Sequence, residues 1–106
     1  MVGAMRLTGF GEGALVDRVK ITGQPKPNVF SFAGTEVDYL AAGSWRSTFT
    51  GTATVQADGS QEVAVNGRFK GGTGKYRGAK GTYHFTGTTP SGSTVLTGHS
   101  AGSITY

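Results

Sequence analysis

Cysteine is absent from this 106-residue chain. That removes disulfides, thiolate metal sites and cysteine nucleophiles together. Charge is sparse: 15% of residues are Asp, Glu, Lys or Arg, against 36% apolar, so a charge-rich disordered tail and a coiled coil are both excluded. No apolar run approaches the ~20 residues that a membrane span requires, and no membrane partner is expected. Proline occurs three times and tryptophan once. Glycine, by contrast, occurs 19 times, and threonine is frequent beside it. Glycine loses backbone entropy in a helix interior and threonine is stiff at χ1, so the composition points to an all-β chain rich in tight turns. The length suits a single domain over residues 1–106.

The start, Met1-Val2-Gly3-Ala4-Met5, has no basic segment followed by a long apolar stretch, so no secretory signal is readable there. The two close methionines suggest that residues 1–4 are an added leader. Cytoplasmic and mature secreted forms both stay open. Up to Glu62 there are five basic and six acidic residues; beyond it Arg68, Lys70, Lys75, Arg77 and Lys80 follow with no acid. This basic segment, interleaved with Phe69, Tyr76 and Tyr83, has the ingredients for a polyanion site. It equally suits a hairpin whose charges discourage edge pairing. No motif of a known nucleic-acid module accompanies it, and a nucleic-acid partner is not expected.

Period-two alternation marks the strands. Met5–Val16 reads as a first strand bent by Gly9, Gly11 and Gly13, with a second extended stretch over 17–22. Pro25 and Pro27 are expected to break the ladder, because each removes a donor and fixes φ. Val29–Leu40 reads as a strand with Phe30 and Phe32 on one side and Val29, Val37 and Tyr39 on the other. Ser44–Gln56 alternates most clearly: Trp45, Phe49, Ala53 and Val55 face one way, Arg46 and the threonines the other. Asp58-Gly59 supplies a hairpin turn to a strand with Val63, Val65 and Phe69 on one face. Ala79–Thr89 and Ser93–Tyr106 complete an antiparallel meander of about six to eight strands. An open sheet leaves two edges, so closure into an up-and-down β-barrel is expected.

Gly71-Gly72-Thr73-Gly74-Lys75-Tyr76-Arg77-Gly78 fails as a phosphate loop. Phe69 and Tyr76 stand where the P-loop pattern needs Gly and Ser/Thr, Arg77 stands where a dinucleotide fingerprint needs glycine, and no helix follows. Extended through Ala79-Lys80-Gly81, the run resembles the signature of the allene oxide cyclase-like barrels, which plant dirigent proteins and small bacterial proteins share. The close likeness covers residues 71–81, and the strand pattern extends it over about the last forty. The resemblance implies an antiparallel barrel of about eight strands, often a trimer, and an isomerase, cyclase or dirigent-like guide of stereochemistry. This chain is shorter than typical members, and the family's working residues lie on earlier strands where no matching motif is found. No catalytic residue is carried over.

The chain's own residues supply the candidates. Glu36 and Asp38 share strand parity, with carboxylates about 7 Å apart. Turned inward, burial and mutual repulsion would raise one pKa and make a general acid; turned outward, they are two solvated carboxylates near Arg46. Tyr39, Arg46 and His84 join them as candidate catalytic groups. Trp45, Phe49, Phe69, Tyr83 and Phe85 are candidate walls of a ligand site, or ordinary core or subunit contacts. His84 and His99 sit on neighbouring strands without a third ligand at recognisable spacing, so no metal is expected. No cofactor is expected, and no Gly-x-Ser-x-Gly elbow occurs. The leading expectation is a barrel that binds a hydrophobic small molecule, assembled as a dimer or trimer. The alternatives are a non-catalytic secreted or surface barrel acting through oligomerisation, and polyanion binding through residues 68–80.

Overall fold

The computed structural model describes residues 2–7, 11–93 and 95–106. Seven strands follow one another: β1 (Val2–Leu7), β2 (Gly11–Lys26), β3 (Val29–Leu40), β4 (Gly43–Val55), β5 (Gln61–Gly74), β6 (Lys80–Thr89) and β7 (Thr97–Thr105). They form one antiparallel sheet whose spatial order is the chain order. No helix occurs among the described residues. The all-β meander is therefore observed. The sheet is not closed: β1 and β7 are its edges, and the molecule extends over 44 × 23 × 19 Å.

Three strand readings are corrected. Met5–Val16 is not one bent strand but parts of two, with Leu7 paired to Gly11 and Val2 to Val16. Gly11 has φ +83°, a backbone state that residues with a Cβ avoid, and it opens β2 where alternation alone read straight on. Pro25 does not end β2, which runs on to Lys26 through register shifts at Ile21/Gly23 and Gly23/Lys26; Pro27 follows directly, in the turn to β3. β1 reaches no further than Val16, leaving this half of β2 with β3 as its neighbour among the described residues. A missing N–H at Pro25 is tolerated on such a free side. The last strand is shorter than the Ser93–Tyr106 expectation, because Ser93 N closes a turn onto the Pro90 carbonyl (3.0 Å) first. The Asp58-Gly59 hairpin forms as read. Asp58 Oδ1 accepts from Ser60 N (2.9 Å) and Ser60 Oγ (2.6 Å), bonds that hold its pKa below the ordinary range.

Register separates the two faces. Phe32, Phe49 and Val65 are buried on one, with Ala53, Val63, Tyr83 and Phe85 packed against them. The other face carries Thr48, Thr50, Thr52, Arg68, Thr82 and Thr86. Glycine explains how rings of this size fit on the apolar side. A Cβ at Gly34 would stand 2.7 Å from Phe49 Cζ, and one at Gly51 would stand 2.7 Å from Phe32 Cζ. Phe85 lies over Gly87 and Gly98 in the same manner, and Tyr83 over Gly67. Each ring thus lies flat across a neighbouring glycine, where its area replaces the contacts the glycine lacks. At these five positions glycine seats a ring on a strand rather than serving a turn.

A second cluster closes one end. Beyond Thr73 the chain turns back, with Tyr76 N bonded to Thr73 O (3.1 Å) and Gly71 N to Ala79 O (2.9 Å). This carries the Tyr76 ring to 4.9 Å from Trp45 and 4.9 Å from Tyr106, edge to face in both cases. Trp45 is 2% exposed and Tyr76 3%. At Gly72 a Cβ would meet the Ser44 carbonyl, so the strands approach there at backbone contact. The glycine-rich segment is a packed strand end.

Candidate functional site

The register brings three acids together on the apolar face. Asp17 of β2 stands opposite Glu36 of β3, which stands opposite Ser47 of β4. One pleat along, Asp38 stands opposite Trp45. The alternation of β3 puts Glu36 and Asp38 in line with Phe32 rather than with Tyr39, and Asp38 is 7% exposed. Of the two readings open for this pair, the inward one is observed.

Such burial demands partners. Trp45 Nε1 donates to Asp38 Oδ2 at 2.6 Å, and the Glu36 carboxyl bonds to the Asp38 carboxylate. Burial first, then the Asp38 bond and charge, then the charge of Asp17, push the Glu36 pKa from 4.5 to about 9. Asp38 is also raised by burial, against the lowering effect of its bonds from Glu36 and Trp45. Two donors on Asp38 make it the acceptor and Glu36 the carrier of the pair's proton. Asp38 Oδ1 is buried, and no N–H or hydroxyl group meets it.

A hydroxyl pair lies alongside. Ser47, 2% exposed, shares a 2.9 Å hydrogen bond with the Tyr83 hydroxyl, which reaches it across Gly67. Burial pushes the Tyr83 pKa up to about 12; the Ser47 bond opposes this, while the charges of Glu36, Asp38 and Asp17 add to it. Tyr83 therefore stays a neutral hydroxyl at neutral pH. Phe69 joins the rings, 5.6 Å from Trp45 and 5.3 Å from Tyr83. The site consists of a carboxyl pair holding one proton and a hydroxyl pair, set among three aromatic rings.

Of the residues singled out in the sequence, this face brings together Glu36, Asp38, Trp45, Phe49, Phe69, Tyr83 and Phe85. Tyr39, Arg46 and His84 lie on the opposite face. Tyr39 is 52% exposed, Arg46 Nη2 donates to the Lys70 carbonyl (3.1 Å), and His84 Nδ1 bonds to Asn66 Oδ1 (2.8 Å). Arg68 and Lys80 are on that outer face too, whereas Phe69 and Tyr83 face inward and Tyr76 is buried; those rings are turned away from a nucleic acid lying along the basic strip. Trp45 and Phe49 are buried within the chain. Two open grooves also occur on the outer face, one of about 620 Å³ by Thr54, Thr88 and His99 and one of about 680 Å³ by Tyr39 and Arg46. They are solvent-wide depressions without a buried titratable group, and the carboxyl pair is the stronger candidate. Sequence reasoning missed Asp17 and Ser47. Ser47 shares parity with Trp45 and Phe49, which was a usable signal; the pairing of Asp17 with Glu36 depends on register and had none.

No family model, curated protein or solved structure matches this chain.

Proposed function

We propose that the chain binds a hydrophobic small molecule against its ring-covered face, and that Glu36 donates a proton to a basic atom of that molecule. The observation that carries this reading is the Glu36–Asp38 pair, one proton held on an apolar face beside aromatic rings. A carboxyl that keeps its proton at neutral pH is suited to general-acid work. The face also has uncovered apolar surface, with Val19 50% and Ile21 60% exposed in line with Asp17. Flat-lying rings leave room above the sheet, and rolling the two edges together would turn that room into a lumen. This agrees with the allene oxide cyclase-like barrel that residues 71–81 resemble, and with a cyclase or isomerase that holds one conformer of an unsaturated substrate away from water. Proton transfer from Glu36 to an opening epoxide or an enolising carbonyl would be the chemical step, with Tyr83 and Ser47 orienting the oxygen.

Trp45 is the only tryptophan, so its fluorescence reports on this face. Titration with a neutral apolar naphthylamine dye is expected to quench it saturably, with about 10 μM affinity. Glu36→Gln is expected to keep that binding and to slow turnover of an unsaturated epoxide by about 100-fold. Quenching that never saturates would contradict the binding reading.

A further inference from the structure

We propose that the occupant of this face is a lipophilic amine, held as an ammonium ion against Asp38 and Glu36 beneath the rings of Trp45, Phe69 and Tyr83. The inference rests on the binding reading above and narrows its ligand class.

Three features point to a cation. The first is the asymmetry of charge between the faces. Asp17, Glu36 and Asp38 all stand on the apolar face, while Arg18, Lys20, Arg46, Arg68 and Lys80 occupy register positions on the other. Among the described residues of the strands' paired core, no lysine or arginine shares the acids' face. A ligand carboxylate would enter beside like charges with no partner, which is costly in a desolvated place.

The second is the Oδ1 atom of Asp38. It belongs to a side chain 7% exposed whose other oxygen is taken by the Trp45 indole, and the one further donor to this carboxylate is the Glu36 carboxyl, which is lost once Glu36 gives up its proton. A buried acceptor left this way costs about 1–3 kcal/mol, which an incoming N–H donor would recover. An alcohol supplies one such donor; an ammonium supplies three, together with the charge that a carboxylate favours.

The third is the aromatic surround. The Trp45 and Phe69 rings meet edge to face at 5.6 Å, with Tyr83 5.3 Å beyond Phe69. Trp45 turns its N–H edge to Asp38, so the ring faces of Phe69 and Tyr83 are the ones that attract a cation, more strongly where water is excluded. At neutral pH an alkylamine arrives already as its ammonium; beside it the Glu36 carboxyl passes its proton to solvent water, its O–H bond breaking, and the ammonium then faces two carboxylates. Its hydrocarbon tail then lies over the apolar row that continues through Phe49 and Phe32.

Three ligands of one tail length separate the possibilities. Decylamine, 1-decanol and decanoate are titrated below their aggregation concentrations at pH 7.5, following Trp45 fluorescence and heat. Decylamine is expected to bind at least tenfold tighter than decanol, and decanoate weakest. The chain's formal charge of +4 works against that order, so it would report the local field of the face. Asp38→Asn is expected to bring amine and alcohol to within about twofold. If that variant does not fold, Glu36→Gln, which keeps a donor toward Asp38 but cannot become the second carboxylate, is expected to narrow the amine preference to about threefold. Decanol equal to decylamine, or decanoate tightest, overturns the inference and leaves the binding reading standing. Binding by none of the three removes both.

Discussion

Gly67→Ala is expected to lower the unfolding free energy by about 3 kcal/mol, measured from the midpoint in urea. The added methyl would collide with Cζ, Cε1 and Oη of Tyr83, so the ring must leave its seat. Moving it breaks the Tyr83–Ser47 hydrogen bond and leaves a 2%-exposed Ser47 hydroxyl without its partner. Overpacking and the stranded hydroxyl each contribute about 1–2 kcal/mol. The cause is steric rather than conformational, because Gly67 is not among the glycines with positive φ. Removing the ring should therefore remove most of the penalty: Gly67→Ala combined with Tyr83→Ala is expected to be less destabilised than the two single changes added, by more than about 1 kcal/mol. Gly78→Ala is the control. No atom lies within 4 Å of a Cβ placed there, and its effect is expected to stay within about 0.5 kcal/mol. Equal losses at Gly67 and Gly78 would contradict the ring-seating account.

The second large effect is a stability that falls as pH rises. Glu36 has its folded pKa pushed from 4.5 to about 9, so between those values the folded chain binds a proton that the unfolded chain does not. The stabilisation linked to that proton is complete below about pH 4.5 and is lost as pH climbs through about 9. Glu36 is half-buried, so solvent screens part of the effect, and a loss of about 2 kcal/mol is the appropriate scale. Glu36→Gln keeps a donor toward Asp38 but has no charge to acquire. Melting temperatures of the variant are expected to be flat between about pH 6 and about pH 9, while those of the parent decline, so that the variant is the more stable at the alkaline end. A parent whose melting temperature rises over that interval would reverse the sign and sink the assignment.

Much of the fold was legible in the order of the residues. The reading of Val29–Leu40 matches β3 at both ends, because Pro27-Asn28 and Ala41-Ala42 punctuate an otherwise unbroken extended run. Alternation in β4 placed Trp45 and Phe49 on one face and the threonines on the other. The first hairpin was not legible, since glycines can bend a strand or reverse it and only the pairing of Leu7 with Gly11 distinguishes the two. Closure was inferred from the general disadvantage of open edges, but the described strands leave both edges in place.

The site was half legible. Parity already separated Glu36 and Asp38 from Tyr39, yet closeness along the chain grouped Tyr39 and Arg46 with the acids, where pairing sends them to the far side. That Glu36 and Asp38 face inward follows from Phe32, two pleats earlier on the same strand, being the buried residue. The parts contributed by other strands needed register. Asp17 opposite Glu36, and Tyr83 crossing Gly67 to reach Ser47, arise from pairings that no local pattern encodes.

The measurement closest to the central claim is a carbon-13 NMR titration of the side-chain carboxyl carbons, with Glu36→Gln used to assign the resonance of Glu36. A desolvated acid pair on the apolar face predicts that the Glu36 carboxyl holds its protonated shift through neutrality and changes with a midpoint near 9. A folded protein in which that resonance titrates near 4.5 would show a wet, separated pair, and the site described above would not exist.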